Sequence, residues 1–153
     1  MILGLDISTS CTGWCIIDSI DSRLLKMGHI ELSREKKFLT KAEIVKESLV
    51  CISREWDIKT IFIEENLQAF RPGFSSAKTL MTLARFNGIV SYICCRDIGI
   101  EPQFEWVKNR VEVDWPMKVL KSGPRKGLSI FSPGCYDMAD AYVIASAGYN
   151  MIK

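Results

Sequence analysis

The sequence predicts an α/β fold, and three observations lead there. Three extended apolar segments follow one another from the N-terminus with short polar breaks: residues 2–7 (ILGLDI), 13–20 (GWCIIDSI) and about 23–32 (RLLKMGHIEL). Beyond them, helical and extended patterns alternate, the order that builds a sheet covered by helices. Finally, IKTIFIEE at 58–65 is β-branched and continuous, as expected of a strand buried on both faces, and ends on two carboxylates.

Each element has its own signal. The first three segments are expected to form an antiparallel meander. Thr40 and Glu43 have capping-box spacing, and Ala42, Val45, Leu49, Ile52 and Trp56 then recur every three or four residues, so a helix of about four turns is expected from residue 40. Its apolar stripe requires a sheet beneath. LQAFRPGF at 67–74 reads as a loop through its Pro-Gly pair, after which Ser75 or Ser76 can cap a helix running through Leu80, Met81, Ala84 and Gly88 to about Cys95. Gly88 is expected to permit close packing on strands. Residues 100–104 are expected as a fifth strand, FEWVKNRV as a helical turn or an extension of it, and 115–134 as loop. In the closing YDMADAYVIASAGYNMI, the residues Ala141, Ile144, Ala145 and Gly148 give a last helix one small-residue face.

A chain of 153 residues suits a single domain, 1–153, able to bury roughly 70% of its unfolded surface without staples. No apolar stretch approaches the roughly 20 residues of a membrane span. The N-terminal apolar residues lack a basic flank and run straight into a patterned strand, so an intracellular protein is expected. Cys11, Cys15, Cys51, Cys94, Cys95 and Cys135 form no paired C-x-x-C knuckles, which points to free thiols in a reducing compartment. The net charge of +2 does not by itself announce a nucleic-acid partner. Its distribution is more informative: Lys118, Lys121, Arg125 and Lys126 stand in a stretch without acids between Trp115 and Tyr136, which fits either a phosphate-contacting or a solvated loop.

The acids are unusual in their placement. Asp6 interrupts an apolar strand, where an ionised carboxylate is costly unless paired or bound to a metal. Glu64 and Glu65 end another strand, and Asp137 and Asp140, three apart, share a face at the start of the last helix. Alone, the last pair would serve the helix dipole. Together, acids on several buried elements repel one another unless a cation joins them, and oxygen-only ligands imply Mg²⁺ or Mn²⁺. Since His29 is the one histidine, a Ser-His-Asp triad, a Cys-His pair or a His-rich metal site would all rest on it. Neither G-x-x-x-x-G-K-[ST] nor G-x-G-x-x-G occurs, so a phosphate-loop nucleotide site has no footing.

The motif ILGLDISTSCTGW resembles the first strand of RuvC-like Holliday junction resolvases, in which an Asp precedes a Thr-Gly-aromatic turn into the second strand. IFIEENLQAF resembles their second acidic motif, YDMADAYVIA their closing helix, and TLARFNG a helix with a Gly near its middle. The resemblance spans 1–95 and 135–150, and its specificity lies in the joint order of the motifs. It implies a ribonuclease H-like fold, with a five-stranded mixed sheet (three antiparallel strands, then parallel strands) flanked by helices.

It also implies that Asp6, Glu64, Asp137 and Asp140 are catalytic, metal-binding carboxylates, Glu64 being preferred over Glu65 because the family's Glu directly follows the strand's Ile, here Ile63. Two Mg²⁺ or Mn²⁺ ions per site would activate a water and steady the leaving 3′ oxygen of an in-line phosphodiester hydrolysis. The implied partner is branched DNA, a four-way junction, cut symmetrically by a homodimer. Bacterial resolvases offer an aromatic base-stacking residue just after the second acid; this chain has Leu67 there, so Phe70, with Arg71 beside it, is expected to take that part. With Lys118, Lys121, Arg125 and Lys126 these make the expected DNA-binding set. The family's basic substrate segment has no match between Gln103 and Trp115, and the join at Gln103-Phe104 is short compared with the viral and phage branch. Two alternatives stay open: another ribonuclease H-like nuclease, acting on pre-rRNA or an RNA/DNA hybrid, and a non-catalytic junction-binding module. LGLDISTSCTG is also similar to the phosphate-binding turn of the actin and hexokinase superfamily, but that group needs a second domain, for which 153 residues leave no room.

Overall fold

The computed structural model describes residues 1–64, 76–105, 117–119, 129–131 and 134–153. The elements in chain order are β1 (Ile2–Ile7), β2 (Cys11–Ile17), β3 (Leu24–Glu31), α1 (Phe38–Glu55), β4 (Thr60–Glu64), α2 (Ala77–Ile93), β5 (Gln103–Glu105), β6 (Met117–Val119), β7 (Ser129–Phe131) and α3 (Cys135–Met151), with a π-helical turn over Cys94–Ile98 after α2. One sheet runs β3-β2-β1-β4-β5, its first two pairings antiparallel and its last two parallel. The other is a ribbon in which β6 and β7 pair antiparallel.

Side chains alternate between the two faces of the main sheet. Leu3, Leu5, Ile7, Ile16, Ile61 and Ile63 face α1 and α2, whose Ala42, Val45, Leu49, Ile52, Phe86 and Val90 complete one core. Ile2, Cys15, Ile17 and Phe62 face α3 on the other side, against Ala141, Ile144, Ala145 and Tyr149. The small-residue face read from the sequence is thus the face α3 lays on the sheet. Fully burying an Ile such as Ile144 stabilises the fold by about 1.5–3 kcal/mol, so one helical stripe suffices to hold α3 down.

Several local expectations are corrected. β2 spans Cys11–Ile17 instead of 13–20, because the Asp18 carboxylate accepts the amide of Ile20 at 2.8 Å and turns the chain there. α1 begins at Phe38 and not at Thr40; its N-cap, Lys37, makes no side-chain cap bond, so the capping box does not form. Phe38 packs edge-on against Phe86 with ring centroids 5.4 Å apart, and that contact draws the helix back past Thr40. α2 does start at a serine cap, Ser76, whose Oγ accepts the Thr79 amide at 3.1 Å. Gly88 faces open space, with no atom within 4 Å of a Cβ placed there, so it does not mediate packing. The segment 115–134, expected as loop, contributes β6 and β7. FEWVKNRV lies largely outside the described residues.

Candidate active site at the carboxyl ends of β1 and β4

Strand register brings the sheet acids together. Leu5 of β1 pairs with Ile63 of β4 in a parallel ladder, so Asp6 and Glu64, each one residue on, stand side by side at the carboxyl ends of neighbouring strands. Both lie two residues beyond positions that face α3, Gly4 and Phe62, and therefore project to that same face. Across the other edge of β1, Asp6 pairs with Gly13 and Gly13 with His29, so Asp6, Gly13 and His29 form a row over three strands.

α3 crosses this face diagonally, and glycines mark its path. A Cβ on Gly134, at the helix N-cap, would lie 2.2 Å from Cγ of His29 on β3. One on Gly13 of β2 would lie 1.9 Å from the Asp137 carbonyl oxygen, and one on Gly4 of β1 would lie 2.3 Å from that of Ala141. At the far end, Gly148 rests against the Phe62 ring of β4, where an added Cβ would come within 2.2 Å. Only residues without side chains let the helix descend this far. Its first two turns, carrying Asp137 and then Asp140, are thereby lowered onto the sheet face that bears Asp6 and Glu64, and all four acids are half-buried. Gly134 has φ of 79°, a left-handed conformation that favours glycine, so this one residue satisfies both the turn and the close approach.

Cys11 sits on the same face of β2, 9% exposed. Its thiol is pushed up to about 12, first by burial, then by the charge of Asp137 and a hydrogen bond to it, with smaller contributions from Glu31 and Asp6. It stays protonated at neutral pH. The donor set left for a cation is therefore carboxylate oxygen, which suits a hard divalent ion. Among the described residues, no group of three or more His, Cys, Asp or Glu is gathered closely enough to hold a metal. The four acids share one edge and face without converging as a cage.

The other expected site residues divide by position. Phe70, Arg71, Lys121, Arg125 and Lys126 lie outside the described residues, as does Glu65. Lys118 is on β6, paired with Ile130. Sequence reading missed Gly13, Gly134 and Cys11; the one signal for the two glycines was glycine inside or beside an element pattern, a mark of close backbone approach, and Cys11 had none. Of the six thiols, Cys11, Cys15, Cys94 and Cys135 are buried, but Cys51 and Cys95 are exposed.

No protein-family model matches the chain. Among solved structures, Thermus thermophilus RuvC in complex with Holliday junction substrate superposes with a TM-score of 0.67 at 13% identity, covering 99% of this chain and 94% of that one. The Thermus thermophilus RuvC structure gives 0.61 at 15% identity, covering 99% and 95%. These identities establish the fold alone, ribonuclease H-like α/β. Sequence adds more: the crossover junction endodeoxyribonucleases RuvC of two Ehrlichia ruminantium strains, Gardel and Welgevonden, are 28% and 26% identical over 167 residues, covering 99% of this chain and 98% of theirs. The chain is RuvC-like. The RuvC likeness runs its full length and includes the stretches outside the resembling motifs, 96–134 among them.

Proposed function

We propose that the chain is a metal-dependent endonuclease that resolves four-way DNA junctions by symmetric phosphodiester hydrolysis, and that residues 1–153 form one nuclease domain. The observation that supports this reading is that two neighbouring strand-end acids, Asp6 and Glu64, lie on the sheet face that carries the start of α3, with its Asp137 and Asp140, in a RuvC-like chain. Those four residues would hold two Mg²⁺ or Mn²⁺ ions, whose chemistry when bound is Lewis-acid polarisation of a phosphoryl oxygen and acidification of a water.

The chain's own residues supply position and field. Asp6 and Glu64 are fixed by the ladders on either side of their strands, and little of their placement depends on a loop. Asp137 and Asp140 ride on α3, whose N-terminal dipole favours the negative charge of Asp137 in its first turn. Phe70 and Arg71 follow the second acid in sequence and would stack on and clamp the substrate, while Lys118, Lys121, Arg125 and Lys126 would contact phosphates. A junction has two-fold symmetry, so cutting two opposing strands needs two sites and hence a homodimer. Among the described residues no helix is long and apolar enough to cross a membrane, and the free thiols fit a reducing intracellular compartment.

The test is incubation in Mg²⁺ with a synthetic four-way junction, a matched duplex and an RNA/DNA hybrid, mapping the 5′ ends of the products. Symmetry-related nicks on two opposing strands are expected, with junctions bound at least about tenfold more tightly than duplex, a difference of about 1.4 kcal/mol. Asp6→Asn, Glu64→Gln, Asp137→Asn and Asp140→Asn should each lower single-turnover cleavage by orders of magnitude and leave junction binding intact. Scattered cuts in linear duplex, or preferred cutting of the hybrid's RNA strand, would refute resolution while leaving a nuclease.

A further inference from the structure

A second charged surface lies beside the candidate site, on the opposite flank from α3. Arg34, Lys36, Lys37 and Lys41 crowd the turn into α1, with Glu35 the one acid among residues 34–41. Arg34, Lys36 and Lys37 are exposed and Lys41 is half-buried. Two bonds tie this segment to the site's edge: the Lys41 ammonium donates to the carbonyl of Thr9, and the Leu32 amide donates to that of Ser10 at 2.9 Å. Thr9 and Ser10 form the turn that follows β1, three and four residues past Asp6.

The electrostatics there are the reverse of what a helix start calls for. The amino end of a helix carries partial positive charge and is ordinarily matched by acids or a capping side chain. α1 has no acidic residue in its first turn, no side-chain cap bond at Lys37, and cations at its N-cap and on either side of it. The nearby acids are turned onto backbone: Glu35 accepts the Lys37 amide at 2.7 Å and Glu31 the Ser33 amide at 2.9 Å. Elsewhere on the surface cations do find carboxylates: Arg23 with Asp21 at 3.8 Å, Lys26 with Glu55 at 2.7 Å, Lys46 with Asp97 at 3.5 Å and Lys59 with Asp57 at 2.7 Å. Among the described residues, Arg34, Lys36, Lys37 and Lys41 have no such partner. Like charge gathered at a positive helix end is relieved where an anion comes to it.

We propose that Arg34, Lys36, Lys37 and Lys41, with the uncapped amides of α1, form a phosphate-contacting surface that takes the backbone of a DNA arm flanking the candidate site, an inference that rests on the junction-resolving reading. Lys41 keeps two of its three ammonium donors for a phosphate after the bond to Thr9. The surface holds position without reading sequence, since it offers charge and amides to phosphate oxygens and nothing shaped to a base edge.

The experiment is a salt titration of binding to a labelled four-way junction, by fluorescence anisotropy on the Asp6→Asn protein so that no cleavage intrudes. The triple variant Arg34→Gln, Lys36→Gln, Lys37→Gln changes exposed residues alone. It should lower the slope of log affinity against log salt by about two to three units and weaken binding by about tenfold or more. Lys26→Gln with Lys59→Gln, at the opposite end of the sheet, serves as the control and should leave the slope unchanged. If the Asp6→Asn protein binds the junction and the triple variant keeps its slope, the surface is merely solvated and the resolvase reading stands. The proposal also falls if the control lowers the slope equally. A chain that binds no branched DNA at all overturns both readings.

Discussion

Replacing Gly13 by alanine tests whether the descent of α3 sets the site. The added Cβ would lie 1.9 Å from the Asp137 carbonyl oxygen, 2.2 Å from its carbon and 2.8 Å from the Met138 amide nitrogen. These are backbone atoms of a helix and cannot rotate aside. Restoring ordinary contact at 3.4 Å requires the first turn of α3 to rise by about 1.5 Å, taking Asp137 away from Asp6. Overpacking of this kind costs about 1–3 kcal/mol, which a domain with about 5–15 kcal/mol of stability survives. Chemistry is less forgiving, since a displacement of about 1 Å at reacting groups lowers rates by roughly a hundredfold. Gly13→Ala should therefore remain folded, with a urea midpoint shifted by that modest amount, and lose about two orders of magnitude in single-turnover junction cleavage. Gly88→Ala is the matched control: its Cβ meets open space inside α2, so it should gain about 0.5–1 kcal/mol and cleave like the parent. A Gly13→Ala protein with parental stability and parental cleavage would refute the packing argument.

The remaining predictions concern stability and thiol chemistry. Ser76→Ala removes the cap that accepts the Thr79 amide and should cost about 1 kcal/mol in urea denaturation. Burial pushes the Cys15 and Cys94 thiols from 9.0 up to about 12, so the folded chain holds protons that the unfolded chain releases. Their contribution is complete below about pH 9 and is lost as pH rises towards 12; urea midpoints taken between pH 8 and 11 should fall, and fall less steeply in Cys15→Ala with Cys94→Ala. Maleimide labelling of the native protein at neutral pH, read by mass spectrometry of peptides, should modify Cys51 and Cys95 and spare Cys11, Cys15, Cys94 and Cys135 until the chain unfolds.

Sequence alone determined the class of fold and the approximate elements, and it singled out four candidate acids. The reason is physical: a strand buried on both faces must be apolar where it is buried, as 61–63 is before its terminal acids, and a helix on a sheet must repeat small or apolar residues every three or four positions, as α1 and α3 do. An acid inside such a pattern announces itself by its cost, which is why Asp6 stands out from its apolar neighbours in the sequence itself. Tertiary structure alone decided which of those acids are neighbours. That Asp6 lies beside Glu64 depends on parallel register between segments more than fifty residues apart, and local pattern carries no information about register across a crossover. The depth of α3 is likewise set by what its path crosses: Gly13 and Gly4 read as ordinary strand glycines until the helix lies on them, and Gly88, the expected packing glycine, faces solvent because its side of α2 meets no strand. Thr40 and Glu43 had the right spacing for a cap, but α1 begins at Phe38, whose ring packs on Phe86, a tertiary contact that local spacing does not reveal.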